Sequence, residues 1–232
     1  MSRDHGTELI VALDVPTLDE ALRLRDTLSE TVSFFKVGKE LFTAAGPAVL
    51  DELSESRVFL DLKYHDIPNT VAGAIRAASA RRVAIVDVHT SGGRAMMKAA
   101  AAAAAESLPR PAVFGVTVLT HLGDEDLAAL GLSATSAEQV VRLSRLAASS
   151  GLDGVVASPL EIEAVREATD DSLDVLVPGV RPGWASSGHD QKRVATPADA
   201  ARAGARYIVV GRAITLSSAP ADAAKRIVDE IQ

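Results

Sequence analysis

No cysteine occurs in the 232 residues of this chain, which removes disulfide frameworks, thiol nucleophiles and Cys-ligated zinc from consideration. Basic charge is not in excess either: the net charge is −7, the opposite of the balance a nucleic-acid binder presents. No stretch approaches the roughly 18 consecutive apolar residues of a membrane span. The N-terminal MSRDHGTELIVALDV lacks the layout of a signal peptide, because its apolar run is short and broken by Asp14. A soluble, cytoplasmic protein with no nucleic-acid or membrane partner is expected. No linker or composition break divides the chain, so 1–232 reads as a single domain.

What is present is a hydrophobic content of 47%, enough for a large core, arranged in short runs rich in Val, Ile, Leu and Phe. The runs are LIVALDV (9–15), FFKVG (34–38), VFLDLK (58–63), IVDVHT (85–90), VFGVTVLT (113–120), GVVAS (154–158), DVLVPGV (174–180) and YIVVGRAI (207–214). Segments of helical period separate them, such as 17–30 and 137–150. Near-continuous apolar strands alternating with helices imply a parallel sheet covered by helices. Eight such units in this length predict an α/β protein of the (β/α)8 barrel type, a TIM barrel. The seven alanines 99–105 read as a closely packed helix.

The strands carry more charge than a core tolerates unpaired. LDLKYHDIPNT, at 60–70, places Asp61, Lys63, His65 and Asp66 within six positions. Side chains alternate faces along a strand, so Asp61 and Lys63 share the face opposite Leu60 and Leu62. If the leucines face the helices, the charges point into the barrel. The same phase turns Asp14, Lys36, Asp87 and His89 inward from their own strands. Four consecutive strands thus aim titratable groups at one mouth, the C-terminal end, where barrel active sites lie. In the last two units, VPGVRPGWASSGHDQKR (177–193) and VGRAI (210–214) supply glycines with Arg181 and Arg212. Loops at these places are the usual phosphate cradle of the fold.

Taken together, D-x-K-x-x-D within DLKYHDIPNT, followed in order by VTVLT, VPGVRP, DQKR and VGRAI and preceded by ALDV and FKVG, resembles the orotidine 5'-monophosphate decarboxylase family over the whole chain. The resemblance implies cofactor-free decarboxylation of orotidine 5'-monophosphate to UMP in pyrimidine biosynthesis. It implies that Lys63 is the proton donor, in an alternating array with Lys36, Asp61 and Asp66. Asp66 and Thr70 would reach the active site of a partner subunit, making the protein a homodimer. Asp14 and Lys36 would contact the ribose, Thr120 the pyrimidine, and Arg181, Gln191, Gly211 and Arg212 the phosphate. No role is implied for Trp184 or His189.

The chemistry explains the charges. Loss of CO2 from C6 leaves an electron pair in the ring plane, beyond the reach of the π system. No motif for pyridoxal phosphate or thiamine is present to act as a sink, so an ammonium against C6 is the device left. Three rivals share the barrel. A metal-dependent sugar-phosphate lyase would use Asp61, Asp66, Asp87 and His89 as ligands. A Schiff-base aldolase would need a neutral lysine, which flanking carboxylates oppose. A catalytically inactive nucleotide-binding barrel would usually have lost one charge of the array. A zinc site at His65 with Asp61 and Asp66 is short of ligands, so a structural His65 and no metal are expected. His5 and His121 read as surface residues.

Overall fold

A computed structural model describes residues 6–185 and 195–232. Eight strands form a closed barrel, each paired in parallel with the next and the last with the first. They are β1 (Glu8–Ala12), β2 (Phe34–Gly38), β3 (Arg57–Tyr64) and β4 (Ile85–His89), then β5 (Ala112–Val116), β6 (Gly154–Val156), β7 (Asp174–Pro178) and β8 (Tyr207–Val210). The expected (β/α)8 architecture is the observed one. Several strands are shorter than their apolar runs: β1 stops before Asp14, and β5 stops before Thr120. Leu13, Val15 and Val118 are nonetheless buried, which is why the runs continue past the pairing.

Strand alternation separates two cores. Val11, Phe35, Val37, Leu60, Val86 and Val88 face outward against the helices. Ile10, Phe34, Phe59, Ile85, Phe114 and Leu176 fill the barrel. Each fully buried side chain of this size contributes about 1.5–3 kcal/mol, so neither face can turn over without losing most of the folding drive. At the N-terminal end, Tyr207 meets Phe34 and Phe114 edge-on at 5.7 and 6.0 Å. Arg57 and Arg206 cover Phe34 and Tyr207, and both are bridged by Glu8. That end is plugged.

Two residues further along, the interior changes character: Phe34 is followed on its face by Lys36, Phe59 by Asp61 and Ile85 by Asp87. The helices hold this frame. Helix Leu18–Leu28 starts at Thr17, whose hydroxyl accepts from Glu20 N at 3.3 Å. Helix Ser136–Ala148 starts at Thr135 with a reciprocal Glu138 contact. The alanine run lies in helix Gly93–Ala105, where Ala100, Ala103 and Ala104 are buried beside helix Pro68–Ser79. Small side chains let the two helices approach closely.

Candidate active site

The polar end of the barrel is a connected set of charges. The Lys36 side chain is 9% exposed, and its Nζ lies 2.7 Å from Asp14 Oδ1 and 3.3 Å from Asp61 Oδ2. The other oxygen of Asp61 accepts a hydrogen bond from Lys63 Nζ. Lys63 Nζ is also 3.8 Å from Asp87 Oδ2. Burial opposes the charge on Lys36, but Asp61 and Asp14 outweigh it and raise its pKa. Burial likewise opposes ionisation of Asp61, yet the two lysines draw it down to about 2. Asp61 is therefore an anion clamped between two cations.

Glycine 38 ends β2 for a steric reason. A Cβ there would sit 2.8 Å from both Asp14 Oδ1 and Lys36 Nζ, inside the ion pair itself. The motif FKVG thus carries its lysine and the space that lysine needs.

Asp87 is the member that the sequence reading turned inward but left out of the site set. It is fully buried at the floor of the array, and its Oδ1 accepts from Lys63 N at 2.8 Å. Burial first, and then the charge of Asp61, push its carboxyl well above the usual range. The signal was its strand phase, shared with Ile85.

Two cavities open from these charges. One of about 150 Å³ is lined by Lys36, Asp61, Lys63, Asp87, Thr120 and Leu176. The other, of about 290 Å³, shares Lys36 and Asp61 and adds Asp14, Arg181, Gly211 and Arg212. Arg181 follows Gly179, whose φ of +77° turns the chain after β7 in a conformation that favours glycine. Arg212 opens the short helix Arg212–Thr215 directly after β8. Asp14, Lys36, Asp61, Lys63, Thr120, Arg181, Gly211 and Arg212 are thereby gathered at one mouth.

Asp66 and Thr70 are not in this gathering. Residues 65–70 are all exposed, and the Asp66 carboxylate accepts from Ile67 N at 2.6 Å. Ile67, beside Asp66, presents 66% of its surface to solvent in the single chain. Gln191 and His189 lie outside the described residues. His65 lies against His89 with the rings tilted by 38° and their centroids 5.3 Å apart. Burial, then His65 and Lys63, lower the pKa of His89 to about 4. Among the described residues, no group of three His, Asp or Glu side chains is placed to hold a metal ion.

Residues 7–227 match the Orotidine 5'-phosphate decarboxylase / HUMPS family. The chain belongs to this family. It is 50% identical to the orotidine 5'-phosphate decarboxylase of Moorella thermoacetica over 241 aligned positions, which cover 100% of this chain and 95% of that protein. The enzyme of the same name from Trichlorobacter lovleyi is 48% identical, with 100% and 98% covered. Among solved structures, orotidine 5'-phosphate decarboxylase from Lactobacillus acidophilus superposes with a TM-score of 0.83 at 36% identity, covering 99% of this chain and 100% of that one. The corresponding structure from Pyrococcus horikoshii gives 0.75 at 27% identity, covering 97% and 99%. No helix among the described residues is long and apolar enough to cross a membrane.

Proposed function

We propose that this chain decarboxylates orotidine 5'-monophosphate to UMP without a cofactor, as a cytoplasmic step of pyrimidine nucleotide synthesis carried out by one catalytic domain. The observation that carries the reading is the Lys63 ammonium, held between Asp61 and Asp87 at the floor of a cavity that joins an arginine-bearing one. The smaller cavity suits a pyrimidine and the larger a ribose phosphate. In the reaction the C6–carboxylate bond breaks, CO2 departs and the electron pair stays on C6. Lys63 then gives its proton to C6 and regains one from water. Before that transfer its positive charge lies where negative charge develops, so the same group lowers the barrier electrostatically and acts as acid.

Asp61 orients both lysines, and Asp14 with Lys36 faces the ribose hydroxyls. Thr120 borders the pyrimidine, while Arg181, Gln191, Gly211 and Arg212 grip the phosphate. Binding energy gained at the phosphate, remote from C6, can be used to order the charge array. The array is one carboxylate short within a single chain. We assign that place to Asp66 of a second subunit, with Thr70 beside it, which makes the working protein a homodimer. The exposed segment 65–70, directly after the strand that carries Asp61 and Lys63, supports such a contact.

A metal-dependent sugar-phosphate lyase on the same barrel is the rival. The lysines argue against it, because the two ammonium groups of Lys36 and Lys63 already pair with Asp14 and Asp61 at the place a cation would take. Absorbance of orotidine 5'-monophosphate mixed with the protein in EDTA separates the two. Conversion of the orotate band to the uridylate spectrum supports the proposal. Turnover of a sugar phosphate that requires added Mg²⁺, with no change in the orotate band, overturns it.

A further inference from the structure

The strand that carries Asp61 and Lys63 does not run in regular register with its neighbour. Leu60 pairs with Val86, and the next pairing is Tyr64 with Val88, so four residue steps of β3 oppose two of β4. The surplus is a bulge centred on Asp61, Leu62 and Lys63. Bulges re-aim side chains and leave backbone groups outside the ladder. Lys63 has φ +54°, a left-handed conformation that a long side chain rarely adopts. Such conformations persist only when the surroundings hold them in place.

The holding contact is visible. The N–H of Lys63 donates to the side chain of Asp87, 2.8 Å away on β4, where a regular ladder would have offered a carbonyl. Asp87 is fully buried, so the acceptor side of this bond is shielded from water. Its second oxygen has no hydrogen-bond donor among the described residues, and the nearest cation is the Lys63 ammonium at 3.8 Å. Asp61 is the carboxyl beside it, already bound to both lysines. A third full negative charge would find no cation of its own here.

We propose that Asp87 is a positioning residue for the decarboxylation: its side-chain oxygen accepts the Lys63 N–H, fixes the bulged backbone, and thereby sets where the Lys63 ammonium stands. The role belongs to the acceptor and not to a negative charge. The raised pKa that burial and Asp61 give this carboxyl agrees with it, since a neutral acid accepts through one oxygen and donates to Asp61 through the other. An asparagine offers the same acceptor and the same donor. A leucine of similar size offers neither.

The inference rests on the decarboxylase reading of the site, so its test carries one arm that does not. Wild type, Asp87→Asn and Asp87→Leu are compared for kcat and KM on orotidine 5'-monophosphate, for UMP affinity, and for hydrogen exchange of the Lys63 amide by NMR. Asp87→Asn is expected to keep kcat within about threefold and the amide protected, while Asp87→Leu loses about 10²-fold in kcat through a misplaced ammonium. KM and UMP affinity of the leucine variant stay within about threefold, because the contacts to ribose and phosphate remain. A leucine variant with wild-type kcat overturns the proposal, and so does an asparagine variant that falls as far as leucine. If the leucine variant does not fold, Asp87→Asn still decides: an exchanging Lys63 amide or a collapsed kcat refutes the role. If wild type itself leaves the nucleotide untouched, the functional reading fails, while exchange at Lys63 still reports whether Asp87 holds that backbone.

Discussion

Replacing Asp61 by asparagine removes the one anion that both lysines share. The side chains of Asp61 and Lys36 are 13% and 9% exposed and their charged atoms 3.3 Å apart. At an effective dielectric of about 20, this pair alone is worth about 5 kcal/mol of Coulomb attraction. Part of that offsets the cost of burying the charges, and removing one partner of a buried pair typically costs about 3–5 kcal/mol. For a domain of this size, Asp61→Asn should then lower Tm by about 6–20 °C at pH 7. The effect has a pH signature. The folded-state pKa of Asp61 is about 2, below the ordinary 3.8, so its stabilisation is present above 3.8 and is lost as pH falls toward 2. Urea denaturation of wild type and variant from pH 7 downward should show a gap that is constant at first and closes below about pH 4. Activity should suffer as well: with Lys63 no longer anchored, kcat/KM should fall by about 10²–10³-fold. A variant with unchanged Tm and nearly wild-type kcat/KM would refute the claim that Asp61 organises the array.

Gly38→Ala places a methyl group inside the Asp14–Lys36 pair, whose mobile side-chain ends can yield without moving the backbone. Tm should change by no more than a few degrees, while kcat/KM drops by about 10-fold or more; kinetics and calorimetry on one preparation check both. Mixing inactive Lys63→Ala with inactive Asp66→Asn should restore activity, because a mixed dimer holds one site with both residues intact. No recovery after subunit exchange would place Asp66 in its own chain's site. His89 has a folded-state pKa of about 4 against an ordinary 6.5, so the fold favours its neutral form. Its stabilisation is present above 6.5 and is lost as pH falls toward 4. His89→Asn should flatten Tm between those values, which a calorimetric pH series measures.

The barrel was legible because both faces of every strand are buried, so apolar runs mark strands and their phase marks the interior. Lys36, Asp61 and Asp87 are each placed two positions beyond an inward apolar residue, and Lys63 two beyond Asp61, which is a pattern readable in one dimension. Strand ends were less legible. Leu13, Val15 and Val118 remain buried beyond the last paired residues, so hydrophobicity overshoots the hydrogen-bonded strand. The bulge in β3 left no mark in the residue types, since DLKY alternates as an unbroken strand would. The left-handed backbone at Lys63 appears only once β4 supplies Asp87. Gly38 was quoted within a motif without its reason, because closeness to Asp14 is a matter of tertiary distance. Asp66 was read as part of the array, yet one chain leaves it at the surface.

The central claim is that an ammonium at position 63, with no cofactor, carries the chemistry. The absence of native cysteine permits a direct test, since Lys63→Cys introduces the only thiol in the chain. Alkylation with bromoethylamine then rebuilds a side chain ending in an ammonium, one sulfur in place of a methylene. Turnover of orotidine 5'-monophosphate in EDTA should fall by at least about 10⁴-fold in Lys63→Cys, since both the acid and the counter-charge are lost. Alkylation should return most of it. A cysteine variant that decarboxylates like wild type before alkylation would contradict the account.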